Sequence, residues 1–173
     1  MRSDPSASSS AGRRTPRGHR LALALAALLA TAGLAALGAR QLRPAPAAPL
    51  LVNAYRSASC GCCKGWLDHL KAAGFTVTDH VVEDLAAVKH THRVPAELSS
   101  CHTATVAGYV IEGHVPATAI RKLLQQRPAV AGLAVPGMPL GSPGMESPLR
   151  SEPYTVFSFT GDGVARPFQR MGA

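Results

Sequence analysis

The chain has 173 residues, 46% of them hydrophobic and 16% charged, which suits one ordinary domain and excludes a collagen, a coiled coil and a fully disordered chain. Its net charge of +8 is concentrated at the start, where residues 1–43 carry seven arginines against Asp4 and leave residues 44–173 close to balanced. Those later charges are scattered among few aromatics, so the basic stripe of a nucleic-acid binder is missing and nucleic acid is excluded as a partner.

Residues 1–43 read as an export signal or a membrane anchor. Arg13, Arg14, Arg17 and Arg20 precede residues 21–39, a chargeless Leu/Ala stretch, and Arg40 and Arg43 follow it. Small residues at Ala36, Gly38 and Ala39 suit cleavage, while a chargeless stretch of nineteen residues is also long enough to span a bilayer. The Arg13-Arg14 pair resembles a twin-arginine signal, but Thr15-Pro16 follows where such a signal prefers apolar residues. Residues 44–49 (PAPAAP) form a linker, and the chain beyond is expected outside the cytoplasm, in the periplasm, with membrane contact only through an uncleaved leader.

Residues 50–56 (LLVNAYR) predict a strand, and the pattern through Cys62, Trp66, His69 and Ala73 predicts a helix that stops at Gly74. Residues 75–82 (FTVTDHVV) alternate at period two, and Asp84 is placed to cap a short helix through about Lys89, before Pro95. Residues 103–113 (TATVAGYVIEG) predict a hairpin turning near Ala107-Gly108, and Pro116 opens a helix whose apolar stripe is Ala119, Ile120, Leu123 and Leu124. The order βαβαββα over residues 50–126 is that of an α/β, thioredoxin-like mixed sheet with flanking helices.

Residues 127–173 form an extension. A Gly/Pro-rich stretch at 129–148 carries Met138 and Met145, and residues 154–159 (YTVFSF) with 161–163 (GDG) predict a terminal hairpin. A loop of that length inside a compact chain is expected to be functional.

Chemistry concentrates in four cysteines. Cys60 and Cys63 form a C-x-x-C pair at a helix N-terminus, where free amides and the helix dipole favour a thiolate, with Cys62 between them. Cys101 precedes the first hairpin strand, which the topology runs antiparallel to the first strand, so it starts on the same rim as Cys60. The second hairpin strand exits on that rim at Gly113-His114, making His114 a candidate and His102 a weaker one. Thiolates in such number, with thioether sulfur from Met138 and Met145, select Cu(I) over zinc. Three cysteines within four residues suit a sulfur-bridged multinuclear cluster.

The segments CGCC at 60–63, SCHTA at 100–104, GYVIEGHVPA at 108–117 and GLAVPGMPLGSPGME at 132–146 together resemble the CopG-like periplasmic copper-resistance proteins, a domain-of-unknown-function family with a C-x-C-C motif. The resemblance covers residues 50–160 and implies a thioredoxin-like domain with a metal-covering C-terminal extension. It also implies copper bound beside the C-x-C-C motif and a part in interconverting Cu(I) and Cu(II). Carried over, Cys60, Cys62, Cys63 and Cys101 fit the metal-binding cysteines, and Met138 and Met145 fit the extension.

Other readings stand beside this one. Two structural disulfides are disfavoured because adjacent Cys62 and Cys63 cannot easily join and crowding three thiols gains a staple little. A thiol–disulfide oxidoreductase using Cys60 and Cys63 leaves Cys62 and the methionines unexplained. A non-enzymatic copper chaperone or buffer uses the same ligands as the copper reading. Trp66 is assigned to the core, His69 to the helix surface, His80 to an ordinary strand position, and His90 and His92 to a solvated loop. Glu112 is either a turn charge or a carboxylate that orients His114. The expected partners are copper ions and periplasmic copper-handling or copper-efflux proteins, and no heptad or apolar edge asks for more than a monomer.

Overall fold

The computed structural model describes residues 50–172, so the expected leader at 1–43 and the linker at 44–49 lie outside the described residues. Strand β1 (Leu51–Arg56) leads into helix α1 (Gly61–Ala72), followed by β2 (Thr76–Val81) and α2 (Leu85–Thr91). A short 3-10 turn (Ala96–Leu98) precedes the hairpin β3 (His102–Val106) and β4 (Tyr109–Glu112), then α3 (Ala117–Gln126). The chain continues through β5 (Gly132–Ala134), β6 (Tyr154–Phe159) and β7 (Ala165–Met171).

These elements follow from local chemistry. Asp84 caps α2 by accepting the Ala87 N–H at 2.9 Å, as its position before an apolar run predicts. The β3–β4 turn places Ala107 at φ 48° and Gly108 at φ 87°, the two left-handed residues that a tight hairpin needs for its twist to match the strands. Helix α1 stops at Gly74, whose N–H bonds to Lys71 O, with Phe75 N bonding to Leu70 O.

All seven strands form one mixed sheet in the order β2-β1-β3-β4-β5-β6-β7. Strand β1 pairs parallel with β2 and antiparallel with β3, and β4 pairs antiparallel with β3, so β4 runs parallel to β1. The expected mixed α/β sheet and terminal hairpin are present. Strand β5, parallel to β4, was not expected: three residues give no periodicity to read, and its pairing links the hairpin β6–β7 to the same sheet.

Alternation along the strands separates two cores. Val52, Ala54, Ala104, Val106, Ile111 and Leu133 pack with Trp66, Leu70, Ile120 and Leu123 of α1 and α3. Leu98, Val110, Ala134 and Phe159 form a second cluster on other positions. Opposite parity at the end of β4 puts Glu112 with Val110 and away from Ile111.

Candidate metal centre

Helix α1 begins as its sequence predicts, with Cys60 as a cap in extended conformation that makes no side-chain capping bond. The first turn of α1 therefore has no side-chain cap, and no acidic residue lies in that turn to oppose a thiolate there. Register brings in the rest. Arg56 at the end of β1 pairs with His102 at the start of β3, so Cys101 arrives beside α1 on the rim the topology predicts. The end of β4 delivers His114 there as well.

The ligating atoms of Cys60, Cys62, Cys63 and Cys101 lie within 4.8 Å of one another. Cys62 Sγ is 3.6 Å from Cys60 Sγ and 3.9 Å from Cys101 Sγ, and Cys63 Sγ is 3.5 Å from Cys101 Sγ. Cys60 and Cys63 are joined as a disulfide, while Cys62 and Cys101 are free thiols. This single bridge is neither the two-disulfide staple nor the vicinal Cys62–Cys63 bond that the sequence disfavours; it joins the C-x-x-C pair. A three-residue step over the first helical turn leaves the two Cα atoms 5.4 Å apart, within the range a disulfide requires.

Met138 is half exposed and its Sδ lies 3.9 Å from Cys62 Sγ, a fifth sulfur at the rim. Met145 enters through its backbone: its carbonyl accepts the Gly141 N–H and its N–H donates to Ser142 O, both at 2.8 Å. No contact joins its thioether to the cysteines among the described residues.

Cys101 also belongs to a second group of donors with His102 and His114, whose ligating atoms again lie within 4.8 Å. His114 is fully buried; its Nδ1 donates to the Pro143 carbonyl at 2.8 Å, which leaves Nε2 as the acceptor, 3.0 Å from Cys101 Sγ. His102 lies against Trp66 with ring centroids 4.4 Å apart and meets His114 edge-on at 5.0 Å. Its Nδ1 is 3.3 Å from Cys101 Sγ, and its buried Nε2 has no hydrogen-bond partner among the described residues.

Burial dominates the electrostatics. Desolvation, followed by the neighbouring Cys62, pushes the Cys101 thiol up to about 12. Desolvation, with His114 and Lys89 adding to it, pulls His102 down to about 3. Burial also lowers His114, against the opposing pull of the Pro143 carbonyl and Glu146. Both imidazoles are therefore neutral at pH 7. Sulfur and neutral imidazole nitrogen without a carboxylate among them form a donor set for a soft or borderline ion and are unsuited to calcium or magnesium.

Several neighbours depart from expectation. Glu112 does not orient His114, because its carboxylate lies on the other face of the sheet and is bonded to Lys89, Ser100 N and Thr103 Oγ1. His69 is not a plain surface residue: its Nε2 accepts the Ala117 N–H at 3.1 Å, capping α3, where Pro116 has no side chain to do so. His80 stacks on Tyr55 with centroids 4.9 Å apart, and His92 lies 5.9 Å from the same ring, both in agreement with roles outside the site. Lys89, Ser100 and Pro143 escaped sequence reasoning. The available signal was an acid at the end of the apolar run 109–112; the Pro143 carbonyl, 29 residues from His114, left none.

Comparison with known proteins adds the following. A family model described as "Protein of unknown function, DUF411" matches residues 98–145. No match is found among curated proteins. A solved structure named "Copper resistance protein copG- Form 2" is 48% identical, with a TM-score of 0.69, and the match covers 72% of this chain and 100% of that one. A second, named "Copper resistance protein copG- Form 1", has the same identity and TM-score over 73% of this chain and 100% of its own.

Proposed function

The chain belongs to the CopG-like copper-resistance protein family, and from that premise we propose that it is an exported protein that holds Cu(I) through Cys60, Cys62, Cys63 and Cys101. The observation that carries this reading is the convergence of four cysteine sulfurs, with the Met138 thioether beside them, at the start of α1. Cysteine and methionine sulfur together prefer Cu(I), and sulfurs this close can bridge more than one ion. His114 and His102 border the site through Cys101, and the loop bearing Met138 and Met145 covers it.

Copper is cargo and substrate in this scheme. Two thiols can each give one electron to Cu(II): Cys60 and Cys63 lose two protons and two electrons, the bond between their sulfurs forms, and two Cu(II) become two Cu(I). The Cys60–Cys63 disulfide is the protein product of that step, and a thiol reductant would reset it. Such a cycle would interconvert the two copper states outside the cytoplasm, with copper-handling or efflux proteins as the outlet.

One observation favours a second reading. A disulfide across C-x-x-C at a helix N-terminus also suits thiol–disulfide exchange without metal.

The test is anaerobic Cu(I) titration of the reduced protein, with bound copper counted per chain. More than one copper per chain, lost in Cys60→Ser/Cys62→Ser/Cys63→Ser, is expected; equal binding by parent and variant would overturn the site. Disulfide reductase activity that survives copper chelation and disappears in Cys60→Ser would favour the second reading.

A further inference from the structure

Glu112 is wholly buried at the end of β4, on the sheet face reached by α2. Its Oε2 accepts the Thr103 hydroxyl at 2.7 Å across the β3–β4 pair. Its Oε1 accepts Lys89 Nζ from α2 and the Ser100 backbone N–H, the latter at 2.6 Å. Lys89 also donates to Thr103 Oγ1 at 3.1 Å, which closes the triangle and neutralises the carboxylate. A buried charge is tolerated only when paired and hydrogen-bonded in this way, so the group has little freedom to move.

The partners matter because of where they lead. Ser100 immediately precedes Cys101, the sulfur common to both donor groups. The Ser100 hydroxyl donates to the Gly137 carbonyl at 2.5 Å, and the Gly137 N–H returns to Ser99 O at 3.4 Å. Gly137 is followed by Met138, whose thioether stands beside Cys62. One carboxylate thus ties two regular elements to the two loops that carry Cys101 and Met138, although it touches none of the sulfur donors itself.

We propose that Glu112 is the positioning residue of the copper site: held by Lys89 and Thr103, it fixes Cys101 through the Ser100 amide and Met138 through the Ser100–Gly137 clamp. The inference rests on the copper reading, which it deepens by giving the site's affinity a determinant outside the ligands. A merely structural ion pair would loosen the whole fold when broken. A positioning residue would release one loop.

The experiment has one arm without copper and one with it. In the reduced, metal-free protein, Glu112→Gln is expected to speed iodoacetamide labelling of Cys101 several-fold, read site by site by mass spectrometry, with Cys62 unchanged. In anaerobic competition with a Cu(I) chelator, the same variant is expected to bind roughly 10- to 100-fold more weakly, as when a partner behind a metal ligand is lost. Ser100→Ala spares the buried pair and is expected to match Met138→Leu, with the Ser100→Ala/Met138→Leu double variant no weaker than either alone. Lys89→Met added to Glu112→Gln removes the stranded ammonium and frees the carboxamide oxygen to accept the Ser100 N–H, and should recover most of the affinity. Unchanged Cys101 labelling, equal acceleration at every thiol, unchanged copper affinity, or additive Ser100 and Met138 effects would each overturn the proposal. Where Glu112→Gln does not fold, the Ser100→Ala cycle decides. A parent that binds no copper through its cysteines would instead defeat the proposed function, a failure told apart because labelling is read without copper.

Discussion

At the scale of single residues, the site depends on imidazoles that burial keeps neutral. His102 is held down to about 3, while in the unfolded chain it titrates near the ordinary 6.5. Between those values the unfolded state binds the extra proton, so stability is intact above pH 6.5 and falls as pH drops toward 3. The steepest loss is about 1.4 kcal/mol per pH unit for this one group. His114 and His69 are shifted in the same direction and add to the slope. Denaturant unfolding of the metal-free protein from pH 7 to 4 is expected to show that slope, and His102→Phe, which keeps a ring against Trp66, is expected to flatten it by about one proton. Parallel slopes for parent and variant would mean that His102 is not held neutral by burial. Cys101 carries the opposite cost: its thiol is pushed up to about 12, so an entering metal must displace a proton, and binding should weaken in acid.

At the scale of elements, α1 and the loop at 135–153 meet through glycine. Gly144 has φ +83°, and a Cβ there would run into the Cys62 carbonyl and the Trp66 amide; a Cβ on Gly65 would lie 2.9 Å from Gly144 Cα. Backbone rests on backbone above the cysteine turn, an approach that no side chain permits. Gly144→Ala therefore adds a steric clash to a left-handed conformation that alanine disfavours, and about 1–3 kcal/mol of stability should be lost. Because Pro143, which holds His114, is the preceding residue, the loop should lift and Cu(I) binding weaken as well. Urea unfolding and Cu(I) competition on Gly144→Ala check both, and unchanged values in each would show that the loop does not need this contact. The same contact marks where sequence reading stopped. The elements through residue 126 were legible because each carries its own period, cap or turn, and the cysteine rim followed from strand direction. The seat of the loop was not legible, since a glycine-rich run states that backbone can come close without stating to what. Glu112 was misassigned for a related reason: its neighbour His114 is two residues away in sequence, while strand alternation turns the carboxylate to the far face, toward Lys89.

At the scale of the whole molecule, the described residues 50–172 fall in one compact unit whose sheet does not end with the hairpin β3–β4. The open edge at β7 presents Arg166, Pro167 and Arg170 exposed, which discourages further strand pairing. Inside that edge, β5 and β6 complete both cores. Leu133, Val135 and Val156 are buried with α1 and α3, and Phe159 and Ala134 close the cluster around Leu98 and Val110. Burying a large apolar side chain contributes about 1.5–3 kcal/mol. Four such residues amount to roughly the 5–15 kcal/mol by which a domain is stable at all. A chain cut after Gln126 keeps the four cysteines yet loses those residues, together with Met138 and the Pro143 carbonyl. It is expected to show no cooperative urea transition, with Trp66 fluorescence and far-UV circular dichroism failing to coincide, and to bind copper heterogeneously. A sharp, coincident transition in that fragment would mean that the first four strands and three helices suffice as a folding unit, with the later strands an accessory to the metal site alone.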